Sequence, residues 1–102
     1  MKINPKAITI VIPIFNEEEG IARLLPAFED YISQSKFKVT LLLVNDGSTD
    51  NSLLEIKKLA ELHQHVGYLS FEKNAGLSAA IRAGVEKCTT TWVGYIDADL
   101  QT

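Results

Sequence analysis

Apolar and polar residues are grouped in long blocks along the chain. Four blocks, 7–14, 38–45, 66–71 and 91–96, are apolar and rich in β-branched or aromatic residues, without the strict alternation of a half-exposed strand. Such runs are typical of strands that are covered on both faces in a parallel sheet. The pattern therefore predicts four buried strands.

The segments between these strands carry apolar residues at helical spacing, which predicts three helices, each with one apolar stripe that faces inward. In the order of the three segments, these residues are Ile21, Leu24, Leu25, Phe28 and Ile32; Leu53, Ile56, Leu59 and Ala60; and Leu77, Ala80, Ile81, Gly84, Val85 and Cys88. Asn16 is expected to cap the first helix, and Asp50 the second, over about 51–63. Ala80 and Gly84 are small enough to let the third helix lie close to the sheet.

The resulting order, β-α-β-α-β-α-β, predicts a single α/β domain with a parallel sheet and helices on both faces. A polar cluster follows each strand: FNEEE, NDGSTD, EKNAG and DADLQ. Ligands of such sheets bind at the carboxyl ends of the strands. All four clusters are therefore expected at one edge, where a site would form.

Composition excludes several classes of protein. The 102 residues carry a net charge of −3, and no Lys/Arg cluster is present, so we expect no nucleic-acid binding. The one cysteine, Cys88, has no internal disulfide partner and is expected to be a small buried apolar group. The apolar run at the N-terminus contains Pro13 and lacks a cleavage site, which argues against a signal peptide. We therefore expect a cytoplasmic chain.

Asp97 and Asp99 follow the fourth strand and are two residues apart. In an extended backbone their carboxylates point to the same side as Gln101, and Ala98 points away. Two carboxylates and an amide oxygen are hard ligands that suit Mg²⁺ or Mn²⁺. The alternative is that both aspartates cap the next turn and face solvent. The strand ends are acidic and would repel a diphosphate unless a divalent cation lay between them. Lys73 and Arg82 are the nearest basic side chains that could help to bind it.

Asp46 and Phe15 each allow two interpretations. Asp46 ends the second strand and would either stabilise a turn or accept hydrogen bonds from a bound base or sugar. Phe15 would belong to the core or offer its ring to a nucleobase. No glycine-rich dinucleotide motif, P-loop or Ser-His-Asp arrangement is present in the sequence, and His63 and His65 are expected at a solvated helix end.

The segments VIPIFNEEE, LLLVNDGSTDNS, EKNAGLSAAIRAG and YIDADLQ, in this order and at these spacings, resemble the N-terminal half of family 2 glycosyltransferases with a GT-A fold. The resemblance runs from about Ile8 to Thr102 and implies a Rossmann-like parallel sheet of about four strands and three helices. The form DADLQ looks most like the branch that transfers sugars to polyprenyl or dolichyl phosphate.

The resemblance also implies the residues of a nucleotide-sugar site. Those implied to bind the nucleotide sugar are Pro13, Phe15, Glu17, Val44, Asp46, Asp97 and Ala98, and those implied to bind Mg²⁺ or Mn²⁺ are Asp97, Asp99 and Gln101. Phe15 stands where the family often has Tyr, and Asn45 replaces a frequent aspartate. Neither departure removes the metal motif.

The implied reaction transfers a sugar, with inversion, from a nucleotide-diphosphate sugar to an acceptor such as a polyprenyl phosphate. No catalytic base is identifiable in the sequence. In the family that the chain resembles, the acceptor-binding half of the protein follows the D-x-D motif, which is Asp97-Ala98-Asp99 here. We therefore expect residues 1–102 to be a donor-binding fragment, inactive alone and able to self-associate, from a parent that associates with membranes. The alternatives are a non-catalytic nucleotide-binding domain and a receiver-like signalling module.

Overall fold

The structure is a computed structural model that describes residues 7–34, 36, 38–88 and 92–95. Its elements, in chain order, are β1 (Ala7–Ile14), α1 (Glu18–Gln34), β2 (Lys38–Asp46), α2 (Ser52–Leu62), β3 (Val66–Phe71), α3 (Leu77–Lys87) and β4 (Trp92–Tyr95). This order confirms the predicted α/β alternation. The second strand extends one residue beyond the predicted end, to Asp46, and positions 91 and 96 of the fourth lie outside the described residues.

The four strands form one parallel sheet in the order β3-β2-β1-β4. The chain moves outward from β1 to β3 and then returns to the other side of β1, so the winding direction reverses between β1 and β4. Open α/β sheets bind ligands beside such a reversal, at the carboxyl ends of the strands. Receiver-type sheets have the order 2-1-3-4-5, in which β1 lies beside β3. The observed order therefore excludes the receiver-like alternative.

One face of the sheet is covered by α1 and α2. Its core cluster contains alternate residues of β1 and β2 together with apolar residues of the helices and β3: Ile10, Ile12, Ile14, Ile21, Leu24, Phe28, Val39, Leu41, Leu43, Ile56 and Val66. Complete burial of one such large side chain contributes about 1.5–3 kcal/mol relative to exposure. The predicted inward positions of α1 and α2 in this cluster are confirmed for Ile21, Leu24, Phe28 and Ile56.

The other face is covered by α3, which lies close to the sheet. The cluster on this side joins Val11, Leu42 and Val44 to Ala80 of α3. A Cβ atom added to Gly84 would lie 2.5 Å from Cγ1 of Val11. The prediction that small residues allow this close approach is confirmed.

Two larger residues of the predicted α3 stripe are exposed instead. Leu77 is 59% and Val85 45% exposed. Val85 lies about 120° around the helix from the line of small residues that contacts the sheet. Leu77 belongs to the first turn, at the carboxyl edge of the sheet. The prediction that both face inward was therefore wrong.

The loops that follow β1 and β2 are joined by side chains from both. Asn16 has a φ of 51°, a left-handed conformation that asparagine tolerates better than most residues. Its Oδ1 accepts hydrogen bonds from the backbone N–H groups of Thr49 at 2.8 Å and Asp50 at 3.4 Å, and its own N–H donates to Ser48 Oγ at 3.0 Å. Asn16 thus connects two loops, whereas the sequence predicted that it caps α1.

The start of α1 is capped by Asp50, in the loop after β2, and by Ser52, the first residue of α2. Ser52 Oγ accepts from the Glu17 N–H at 2.9 Å, and Asp50 Oδ2 accepts from the Glu18 N–H at 3.3 Å. The other oxygen of Asp50 accepts from the N–H of Ser52, the first residue of α2, at 2.9 Å. Asp50 therefore stabilises the starts of two helices. The sequence predicted that it is the N-cap of α2, whereas the N-cap residue is Asn51.

These contacts change the pKa of Asp50. Burial alone would raise it, but hydrogen bonds from Ser52 and from the backbone amide of Glu18 outweigh burial and hold the pKa of Asp50 below its ordinary value. Asp50 also lines a surface pocket at the start of α1, together with Glu17, Glu18, Glu19 and Arg23.

Cys88 follows α3 directly and is partly buried against the cluster on that face. Burial raises the pKa of its thiol, and Sγ donates to the carbonyl of Gly84 at 3.1 Å. Both observations agree with the predicted apolar role.

Among the described residues, no helix combines the length and apolar character needed to cross a membrane.

The close approach of α3 predicts the effect of Gly84→Ala. Overpacking against Val11 costs about 1–3 kcal/mol, and the gain in helix propensity returns about 1 kcal/mol, so urea denaturation should show a net loss of up to about 2 kcal/mol. The same substitution should cost little or nothing when Val11 is also replaced by Ala. Gly67→Ala is the matched control, because its Cβ would lie 3.7 Å from Leu42 Cδ1, an ordinary contact. An equal cost of Gly84→Ala in both backgrounds would contradict the close packing.

The lowered pKa of Asp50 predicts a contribution to acid sensitivity. A carboxyl whose pKa is lower in the folded than in the unfolded chain stabilises the fold above about pH 4 and loses this contribution as the pH falls through the folded value. Asp50→Asn should therefore reduce stability at neutral pH and flatten the fall in stability below about pH 4. Urea unfolding measured across this range tests the prediction. Parallel pH profiles for the two proteins would show that Asp50 does not contribute.

Candidate functional site

An open cleft of about 430 Å³ lies at the carboxyl ends of β1 and β2, beside the loop between β3 and α3. This volume is within the usual range for small-molecule sites, about 300–1,000 Å³. The cleft is lined by Pro13, Ile14, Phe15, Glu17, Asp46, Asn74, Gly76 and Leu77. Its position is the one that the parallel sheet predicted.

The cleft exposes two large apolar side chains. Phe15, directly after β1, is 45% exposed, so the structure excludes the core interpretation of this residue. Leu77 is 59% exposed and contributes to the same cleft. Exposed apolar groups that converge on one concave surface favour a ligand with an apolar face.

Asp46 is buried beneath the loop between β3 and α3. It is 4% exposed, and its carboxylate accepts three hydrogen bonds from that loop. Oδ1 accepts from the N–H of Ala75 at 2.7 Å, and Oδ2 accepts from the N–H of Gly76 and from Nδ2 of Asn74, both at 3.0 Å. The same Nδ2 also donates to the backbone carbonyl of Asp46 at 3.1 Å. The carboxylate therefore has the loop-stabilising role that the sequence left open.

Two glycines fit the loop against the end of β2. A Cβ atom added to Gly47 would overlap the backbone nitrogen of Asn74 and lie 2.8 Å from Cα of Lys73. Gly47 also has a φ of 67°. Gly76 has a φ of 99° and a ψ of 161°, a conformation almost restricted to glycine.

Asn45 and Val44 are buried at the end of β2, directly before Asp46. Asn45 is 2% exposed, its Nδ2 donates to Ser70 Oγ at 3.0 Å, and its Oδ1 accepts from the Ser48 N–H at 3.1 Å. An amide can donate to one partner and accept from the other, which suits both contacts. Val44 is fully buried and does not line the cleft.

The structure thus brings four of the predicted nucleotide-sugar residues together around the cleft: Pro13, Phe15, Glu17 and Asp46. Val44, which was also predicted, is buried and does not line the cleft. The remaining predicted positions, Asp97, Ala98, Asp99 and Gln101, lie outside the described residues. Four further lining residues, Ile14, Asn74, Gly76 and Leu77, were not predicted as site residues. The signal for Asn74 and Gly76 is the polar segment EKNAG at a strand end, which predicts a cluster there but assigns no role to its individual residues.

The charge of the cleft is negative. Glu17 and Asp46 are among its lining residues and no lysine or arginine is, while Lys73 and Arg82 are exposed elsewhere. Within residues 7–34, 36, 38–88 and 92–95, no group of three or more His, Cys, Asp or Glu side chains could hold a metal ion. By its chemistry, the predicted set of two carboxylates and an amide oxygen suits Mg²⁺ or Mn²⁺.

Comparison with known proteins adds sequence relatives. The chain is 41% identical over 96 residues to the undecaprenyl-phosphate 4-deoxy-4-formamido-L-arabinose transferase of Pseudomonas fluorescens, a match that covers 92% of this chain and 28% of the relative. It is 35% identical over 94 residues to the prophage bactoprenol glucosyl transferase homolog of Escherichia coli, covering 92% of this chain and 31% of that protein. The chain thus spans less than a third of the length of these relatives.

Solved structures share the fold. The mannosyltransferase PcManGT from Pyrobaculum calidifontis, in complex with GDP-Man and Mn²⁺, superposes with a TM-score of 0.75 at 24% identity, covering 90% of this chain and 27% of that one. The glucosyl-3-phosphoglycerate synthase of Mycobacterium tuberculosis, in complex with UDP, gives a TM-score of 0.72 at 20% identity, covering 94% and 35%. At these identities the likeness concerns the fold, which is the Rossmann-like arrangement of GT-A glycosyltransferases.

The family model of glycosyl transferase family 2 matches residues 9–102, nearly the whole chain. The matched range includes all four strands except the start of β1, and all the residues that line the cleft. On this match, the chain belongs to glycosyl transferase family 2.

Proposed function

We propose that the cleft binds a nucleotide-diphosphate sugar and that the chain is the donor-binding part of a glycosyltransferase. In the proposed reaction an acceptor oxygen displaces the nucleoside diphosphate from the anomeric carbon, with inversion. The observation that carries the proposal is the cleft itself: it lies at the carboxyl edge of the sheet and contains four residues that the family resemblance assigns to donor binding.

The shape of the cleft supports a nucleotide as its ligand. Phe15 and Leu77 expose apolar surface on which a base can pack, and an aromatic ring face suits any base. Pro13 and Gly76 add surface without charged groups. A planar base with polar edges matches such a mixed lining better than a purely apolar ligand would.

The negative charge of the cleft would repel the diphosphate of a nucleotide sugar. Glu17 and Asp46 disfavour a second anion unless a cation lies between them and the ligand. We propose that Asp97, Asp99 and Gln101 hold Mg²⁺ or Mn²⁺ and that Ala98 lies beside the diphosphate. A divalent cation there would stabilise the negative charge that develops on the leaving diphosphate.

We propose a polyprenyl phosphate as the acceptor class. Support comes from relatives whose names specify undecaprenyl phosphate or bactoprenol. The oxygen of a phosphate monoester is already anionic, so its attack needs no strong general base. A polyprenyl-phosphate acceptor implies membrane association of the complete enzyme. The proposed function does not require self-association of the chain, which stays a prediction.

The alternative function is nucleotide binding without catalysis. The cleft is compatible with it, because no Ser, Cys, Lys or His is among its lining residues in the described part of the chain. Metal dependence separates the two, since a catalytic donor site needs a cation for the diphosphate, whereas a site that binds only the nucleoside does not.

Titration of UDP, GDP and their sugars, with and without Mn²⁺, tests the proposed function. We expect one nucleotide series to bind and Mn²⁺ to tighten its binding about tenfold or more, which corresponds to at least about 1.4 kcal/mol. Asp99→Ala should abolish the Mn²⁺-dependent part of the affinity. Isothermal titration calorimetry gives the affinity and also identifies the base.

The control for this titration is Glu61→Ala, which removes an exposed carboxylate on α2, on the far side of the sheet from α3. It should bind as the unchanged chain does. Binding that ignores both Mn²⁺ and Asp99→Ala would contradict the metal-assisted donor site and favour the non-catalytic alternative.

A further inference from the structure

We infer that Asp46 is a positioning residue, whose carboxylate holds the segment Lys73–Gly76 in the shape that forms one wall of the cleft. This inference rests on the proposed function for its effect on donor binding. It differs from a direct contact between Asp46 and the nucleotide, because the carboxylate would act through the backbone of another loop.

The hydrogen-bond capacity of the carboxylate is largely used within the protein. A carboxylate has about four acceptor sites. Three of them are taken by the N–H groups of Ala75 and Gly76 and by the Asn74 side chain, at 2.7–3.0 Å. Hydrogen bonds to an ionised group are stronger than those between neutral groups. With 4% of Asp46 exposed, little of it remains for a ligand.

The segment has little else to order it. Lys73, Asn74 and Ala75 are exposed, so burial of apolar surface contributes little to their position. Within the part of the chain that the structure describes, the hydrogen bonds that connect residues 73–76 to the sheet all end on Asp46. Three of these four bonds end on the carboxylate, so its removal should free the loop locally.

The two glycines make the arrangement specific. Gly47 leaves room for the backbone of Lys73 and Asn74 directly above the end of β2. Gly76 adopts its φ of 99° beside open space, since a Cβ added there would meet no atom within 4 Å. Alanine at Gly76 would therefore strain the backbone without a steric clash. It offers a way to change the loop while leaving the Asp46 carboxylate in place.

The loop is also part of the cleft. Asn74, Gly76 and Leu77 line it together with Pro13 and Phe15 from the end of β1. A displaced loop would therefore change the surface that the ligand contacts. Loss of the Asp46 carboxylate should weaken nucleotide binding by moving these residues.

The test compares three variants of the full chain: Asp46→Asn, Gly76→Ala and the double variant. Each single substitution should weaken binding of the preferred nucleotide about 10- to 100-fold. For Asp46→Asn this is the size expected from the loss of hydrogen bonds to a charged group. Because both changes act on one loop, the double variant should bind no more weakly than the weaker single variant. Amide hydrogen exchange at Ala75 and Gly76 should accelerate in Asp46→Asn without any nucleotide present.

Ile56→Val controls for a general loss of stability. It removes a methylene from the core on the α1 and α2 face, which lowers the stability of the whole fold modestly. It should leave both nucleotide affinity and exchange in the loop unchanged. If Asp46→Asn does not fold, Gly76→Ala still decides the matter, since unchanged binding in that variant would show that the shape of the loop is unimportant.

The remaining outcomes distinguish failure of this inference from failure of the proposed function. Multiplicative effects in the double variant would show that Asp46 contacts the nucleotide independently of the loop, and unchanged exchange at Ala75 and Gly76 would show that it does not hold the loop. Either result overturns the inference and leaves the proposed function intact. If the unsubstituted chain binds neither UDP nor GDP, the proposed function is overturned, and with it the role of Asp46 in binding.

Discussion

The buried carboxylate of Asp46 is the interaction on which the candidate site depends most. A carboxylate that is 4% exposed is costly unless hydrogen bonds compensate for the lost water. Here the donors come from the loop that precedes α3, a segment that would otherwise be loosely attached. The end of β2 and the beginning of α3 are thereby fixed to each other, and the cleft takes its shape from the two together.

A second set of hydrogen bonds fixes the loops after β1 and β2. Asn16 accepts from one loop while Ser52 and Asp50 accept from the start of α1. The first N–H groups of α1 are thus satisfied within the protein. The carboxyl edge of the sheet is consequently ordered by side chains that join one loop to the next, and Phe15 and Glu17 project from a backbone that is fixed on both sides.

The fold was predictable because burial imposes a pattern that the sequence retains. Strands covered on both faces require continuous apolar runs, and the run 66–71 gave the bounds of β3 directly. The close approach of α3 followed from the small size of Ala80 and Gly84. By contrast, the role of Asn16 was predicted wrongly, since a cap within the same helix and a bond to a neighbouring loop require the same residue type. Local sequence does not distinguish them, because the partner loop lies more than 30 residues away.

The site was predictable to the extent that the topology determines it. Parallel strands place their carboxyl ends together, which was enough to bring Phe15 near Asp46, but the three donors to the Asp46 carboxylate depend on the course of a loop. The most direct measurement of the central claim is an NMR titration of the full chain with its nucleotide diphosphate and diamagnetic Mg²⁺, following the backbone amides. The account predicts the largest shifts at residues 15–17 and 74–77, and at residues 97–101, where the cation and the diphosphate are proposed to bind. Shifts concentrated at the opposite edge of the sheet, around His63–His65, would contradict it.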